Sequence, residues 1–130
     1  MDTINYRAIS QEDIAQIYSG KSSKFFQIVE DAFLKYDKNE VILPAKISQI
    51  FDQVTQNRIN CMPATLLKDK VSGMKWVSVF PTNATKGLQN VSGIMILSEI
   101  ETGFPIAVID GTLLTNIRTA SVGCVAAKYL

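Results

Sequence analysis

Residues 91–130 read VSGIMILSEIETGFPIAVIDGTLLTNIRTASVGCVAAKYL, and three kinds of local structure can be told apart within them. The first nine residues, VSGIMILSE, form a nearly continuous apolar run of strand length, the pattern of a strand buried on both faces. Gly103 and Pro105 mark a turn, and IAVID is a second short apolar run. So short a turn between two strands predicts an antiparallel hairpin. From about Thr112 the chain turns to small and apolar residues, which predict a closing helix. On that helix Leu113, Leu114, Ile117, Ala120 and Cys124 are expected on the core side. Thr115, Arg118, Thr119 and Val122 fall on the other side.

Working outward, MKWVSVFP at 74–81 alternates like a half-buried strand. Met74 and Trp76, with Val77 a further candidate, are expected to face inward and Lys75 outward. RINCMPATL predicts a short strand ending at Pro63, and DKVSG a turn. EVILPAKISQIF mixes β-branched residues with Pro44, which predicts an extended edge segment. Near the start, Ser10 is placed to cap a helix, with Asp13 three residues on and Gly20 as its stop. Phe25, Phe26, Val29, Phe33 and Tyr36 then recur at helical spacing and predict a second helix near 22–37, with one stripe facing a core. Two helices, a run of strands and a closing helix make an α+β fold with a mixed sheet of about five to six strands, not a regular βαβ alternation.

The 130 residues suffice for one domain with a core, and 47% of them are hydrophobic. Thirteen basic and twelve acidic residues leave a net charge of +1 without a basic cluster, which argues against nucleic acid. No apolar run approaches the roughly 20 residues of a membrane span. The polar start is not a secretory signal, so a cytoplasmic location is expected. Histidine is absent, which removes Ser-His-Asp and Cys-His catalysis and the common zinc sites. Cys61 and Cys124 form no CxxC pair and are expected to be buried structural thiols.

Chemistry must then come from lysine, arginine, carboxylates or a cofactor. Lys75 reads two ways: a desolvated lysine able to hold a carboxylate or exchange a proton, or, as the spacing alone favours, a lysine facing solvent. Arg118, with Thr115 and Thr119 on the same helix face, suits a carboxylate or phosphate, but equally an ion pair with a structural acid. Lys46 is a third cation on an extended segment. Thr82 and Asn83 lie in FPTNATKGL, a stretch that serves either as a ligand-contacting loop or as a surface turn. Several cations, hydroxyl helpers and no histidine fit an anionic small molecule better than a metal.

Several ordered stretches together resemble the ornithine cyclodeaminase/mu-crystallin family: MPA at 62–64, SGMKWVSVFPTNATKGL at 72–88, VSGIMILSEIETGFPIAVIDG at 91–111 and LTNIRTASVGCVAAKYL at 114–130. The resemblance covers roughly residues 40–130. It implies that residues 1–130 are a substrate-binding and dimerisation domain, homodimeric, which stops where a Rossmann half binding NAD or NADP would begin. That half, with its glycine-rich loop and the family's catalytic aspartate, has no counterpart here.

Carried over by residue, the resemblance makes Lys75 the substrate-site and catalytic lysine. Arg118 becomes the arginine that meets the substrate carboxylate or cofactor phosphate. Lys46 takes a position usually held by arginine, and Met62 lines the pocket. Thr82 and Asn83 lie toward the nicotinamide, with Thr119 beside Arg118 on the cofactor side. The implied activity of the whole protein is NAD(P)-dependent cyclodeamination, imine reduction or dehydrogenation of an amino or imino acid, with these residues alone inactive. The alternative is a dimerising small-ligand module without chemistry, of the crystallin type. True ornithine cyclodeaminases carry an acid two residues before the methionine; this chain has Asn60, which puts ornithine in doubt.

Overall fold

A computed structural model describes residues 3–130. Its elements run β1 (Arg7–Ile9), α1 (Gln11–Tyr18), α2 (Ser22–Asp37), β2 (Val41–Ile42), β3 (Ile47–Ile50), β4 (Arg58–Leu66), β5 (Val71–Val79), a 3-10 turn (Pro81–Lys86), β6 (Val91–Glu99), β7 (Pro105–Asp110) and α3 (Thr112–Tyr129). The strands form one seven-stranded sheet in the order β1-β7-β6-β5-β4-β2, with β3 also paired to β4. The predicted β6–β7 hairpin is present, and β4 through β7 make an antiparallel meander. β1, which the alternation did not reveal, lies parallel to β7 and makes the sheet mixed. The α+β class therefore holds, with one strand more than expected.

The helix punctuation is as the sequence predicts. Ser10 caps α1 in a capping box: the Asp13 backbone N–H donates to the Ser10 hydroxyl at 3.2 Å, and the Ser10 backbone N–H donates to the Asp13 carboxylate at 2.8 Å. Gly20, just past the end of α1, takes φ +69°, which a residue with a Cβ rarely adopts. α2 matches the predicted span, but its stripe does not sit in a core. Phe25, Phe26 and Val29 are half-buried, while Phe33 and Tyr36 are exposed. The stripe forms the wall of a cleft instead of sealing it.

Three strand expectations are corrected. β4 does not stop at Pro63 but runs on to Leu66. β3 pairs with residues 58–61 and β2 with 65–66, so Pro63 stands where the outer edge of β4 has no partner, the place a sheet tolerates proline. The following turn lies at 67–70, and Val71, Ser72 and Gly73 already belong to β5. On β5 Val77, only 4% exposed, faces inward as expected, but Lys75 faces the helices with it, while Met74 and Trp76 face the opposite side.

The helices explain that facing. α3 lies against β6, α2 packs on α3, and α1 touches α3 and β7. Ile14, Val77, Ala107, Ile117 and Val125 form the buried core between helices and sheet. Among the described residues nothing covers the other face, where Ile47 is 63%, Ile94 44% and Trp76 36% exposed. β6 is thus open on one side, contrary to the two-sided burial its apolar run predicts.

On α3 the buried stripe is Ile117, Ser121 and Val125. Ala120 and Cys124, expected in the core, are exposed, and Cys61 is only half-buried. Small residues all round α3 gave no clear stripe to read, so its rotation is set by packing on β6 and α2.

Candidate active site

β4, β5 and β6 bring Met62, Lys75 and Met95 into one cross-strand row: Lys75 is paired with Met62 on one side and with Met95 on the other. Side chains alternate along a strand, so a shared register puts all three on the helix-covered face. The row is the floor of a cleft of about 440 Å³. α3 supplies one wall through Leu114, Thr115, Ile117 and Arg118; α2 supplies another through Phe25, Ile28 and Val29, with Leu43 at the rim. The lining is apolar apart from Thr115 and two cations, Lys75 and Arg118.

Lys75 is half-buried, not solvent-facing as its spacing favoured. Its Nζ donates to the Thr115 hydroxyl at 3.4 Å, a long contact. Desolvation holds its pKa below the ordinary lysine range, and the Arg118 guanidinium pushes the same way. Among the described residues neither Lys75 nor Arg118 makes an ion pair. The alternative of a structural acid holding Arg118 therefore has no partner to name. Two like charges facing an apolar hollow without a counter-ion are arranged to receive an anion.

Met62 takes its place in the cleft; other candidates do not. Lys46 is exposed in the link between β2 and β3 and does not line the cleft, whereas Leu43 in the same link does. Thr82 and Asn83 sit on the 3-10 turn beyond β5, each donating a hydrogen bond within the chain. The Thr82 hydroxyl accepts from the Asn57 amide at 2.9 Å and donates back at 3.1 Å, and the Asn83 amide donates to the Gln89 carbonyl at 2.9 Å. Thr119 is exposed, and its hydroxyl donates to the Thr115 carbonyl of its own helix at 2.6 Å. Asn60 lies on the floor side of β4, 7% exposed, and accepts from the Ser48 hydroxyl at 2.7 Å.

Met95, Leu43 and the α2 wall were not foreseen. The long connection between β5 and β6 hides their register, so nothing local announces that Met95 stands beside Lys75.

A family model described as ornithine cyclodeaminase/mu-crystallin family matches residues 10–130. The chain belongs to this family. As a member it is 38% identical to alanine dehydrogenase of Archaeoglobus fulgidus, over 94% of this chain and 36% of that protein. Its fold superimposes on a solved archaeal alanine dehydrogenase dimer with bound NAD at a TM-score of 0.84 and 36% identity, covering 100% of this chain and 38% of the other. The Δ(1)-pyrroline-2-carboxylate reductase of Thermococcus litoralis, solved with NADH and L-proline, superimposes at a TM-score of 0.87 and 29% identity, over 95% of this chain and 37% of the other. This family member thus spans a little over a third of the length of each of these relatives. Among the described residues no helix is long and apolar enough to cross a membrane.

Proposed function

We propose that this chain is the substrate side of an NAD(P)-dependent enzyme that acts on an amino or imino acid. Arg118 receives the α-carboxylate, and Lys75 exchanges a proton at the α-nitrogen or the oxygen that replaces it. The observation that carries the reading is the convergence of these two cations on one apolar cleft, with no acid on its lining among the described residues. A guanidinium offers a carboxylate two parallel donors. A lysine with a depressed pKa gives up its proton more readily than one in water and so suits proton exchange. Lys46 lies outside the cleft and is left out of this clamp.

The two solved structures named above carry NAD or NADH, which supports the cofactor class; when bound, that cofactor supplies the hydride chemistry. The residues present here do not fit a dinucleotide site by themselves. Thr82, Asn83 and Thr119 each donate a hydrogen bond within the chain, and no glycine-rich strand-to-helix loop of the dinucleotide type occurs in the sequence. This chain's part is therefore binding, orientation and the proton at Lys75. Cyclodeamination, imine reduction and dehydrogenation all require those three.

The same reading includes a homodimer built on the uncovered sheet face, where Ile47, Trp76 and Ile94 expose apolar area that a partner copy would cover.

The test is a nuclear magnetic resonance titration of the labelled chain with pyruvate. Resonances of Met62, Thr115 and Met95 are expected to move together, and Arg118→Gln is expected to remove the response. Shifts confined to other residues would refute the site.

A further inference from the structure

Resting on that assignment of the site, we infer that the substrate carries an uncharged, bulky apolar side chain, larger than the methyl of alanine and without a distal ammonium. The cleft does not end at its floor. Past Leu43 and Ala64 it opens into a second hollow of about 450 Å³, and the two share Ile28, Val29, Leu43, Ala64 and Arg118. Arg118 thus stands at the junction, and a carboxylate held there can send its side chain away from Lys75 into the second hollow.

That extension is lined by Ala32, Phe33, Val41, Leu66 and Val122, with Tyr36 as its single polar-tipped member beyond Arg118. Among the described residues no aspartate or glutamate lines either hollow. The acids nearby are paired with other groups. Glu30 of α2 lines a neighbouring hollow toward the end of α3, where it accepts from Lys128 and Tyr129, and Glu40 pairs with Lys68 at 2.6 Å. Asn60, the polar residue two positions before Met62, is neutral and already holds the Ser48 hydroxyl.

A distal ammonium placed here would lose part of its water and face two cations with no counter-charge, which is unfavourable. An aliphatic side chain would instead leave water for a surface built to receive it. Each buried methylene is worth roughly fourfold in affinity. A methyl group alone would leave most of the extension empty.

Calorimetric titration of the 130-residue chain with 4-methyl-2-oxopentanoate, pyruvate and ornithine decides the matter. The branched acid is expected to bind about 10- to 50-fold more tightly than pyruvate, and ornithine more weakly than either. Equal affinity for the two oxo acids, or tighter binding of ornithine, would overturn the inference and leave the site standing. Loss of all three with the native chain would overturn both. Leu43→Asp changes a rim residue that is 59% exposed, so the fold is expected to tolerate it. It should abolish the preference for the branched acid; a preference that survives counts against the proposal. Arg118→Gln should weaken both oxo acids alike, which separates loss of the carboxylate contact from loss of the apolar one.

Discussion

Lys75 and Arg118 line the same apolar cleft, one from the sheet and one from α3, and the charge of Arg118 helps to hold the Lys75 pKa down. Desolvation is the larger cause. Arg118→Gln should therefore raise the Lys75 pKa only part of the way to its ordinary value. Titration of the lysine side-chain signals by nuclear magnetic resonance, compared between the two proteins, measures this. A full return to the ordinary value would show that burial contributes nothing.

Lys75→Met tests the same group through stability. A lysine whose folded pKa is depressed favours the unfolded chain at every pH where the unfolded lysine is protonated and the folded one resists the charge. The cost is full below the folded pKa and fades as pH rises from there to the unfolded value. Lys75→Met should therefore leave the melting temperature unchanged or raised at pH 7, with the advantage shrinking toward pH 10–11. The same variant should lose proton exchange. Thermal melts across that range would expose a wrong sign.

Gly93→Ala probes the sheet beneath the helices. A Cβ at Gly93 would lie 2.6 Å from the Trp76 carbonyl oxygen and 3.1 Å from the Val77 Cα, both backbone atoms that cannot rotate away. β5 and β6 would have to part, at a cost of about 1–3 kcal/mol or more. Urea unfolding monitored at Trp76 gives the number. Ser92→Ala, on the neighbouring open-face position, is the control and should change stability little.

Trp76→Asp tests the proposed homodimer. Trp76 and Ile94 are cross-strand neighbours on the uncovered face, and a carboxylate between them could not be buried without a partner. Light scattering at micromolar concentration should give a dimeric mass for the native chain and a monomeric one for the variant. A monomeric native chain would end the dimer proposal without touching the cleft.

Local signals in the sequence carried most of the fold. Ser10 with Asp13, Gly20, the turn at Gly103 and Pro105, and the start of α3 at Thr112 are short-range features, and each is where the residues place it. Facing was harder. Lys75 between Met74 and Trp76 reads as the polar member of an apolar pair, yet it faces the helices because the cleft lies on that side and the apolar pair is left on the open one. β1 is three residues long and acquires its strand character only by pairing with β7, far along the chain. The resemblance located Met62, Lys75 and Arg118 in the cleft. It also names Lys46, which is exposed between β2 and β3, and Thr82, Asn83 and Thr119, each of which donates a hydrogen bond within the chain.

The floor row Met62–Lys75–Met95 divides the cleft into parts that differ in how freely they can change. One residue inserted into β4, β5 or β6 would turn the remainder of that strand over and carry its floor residue to the wrong face, so the reacting end is tied to strand pairing. The far end is framed by Ile28, Phe33 and Leu43, which are exposed and bear little of the fold's stability. Substitutions there can accumulate without unfolding the chain. A lineage could thus exchange one amino acid for another as substrate by drift along α2 and the rim, while the chemistry at the floor stayed the same.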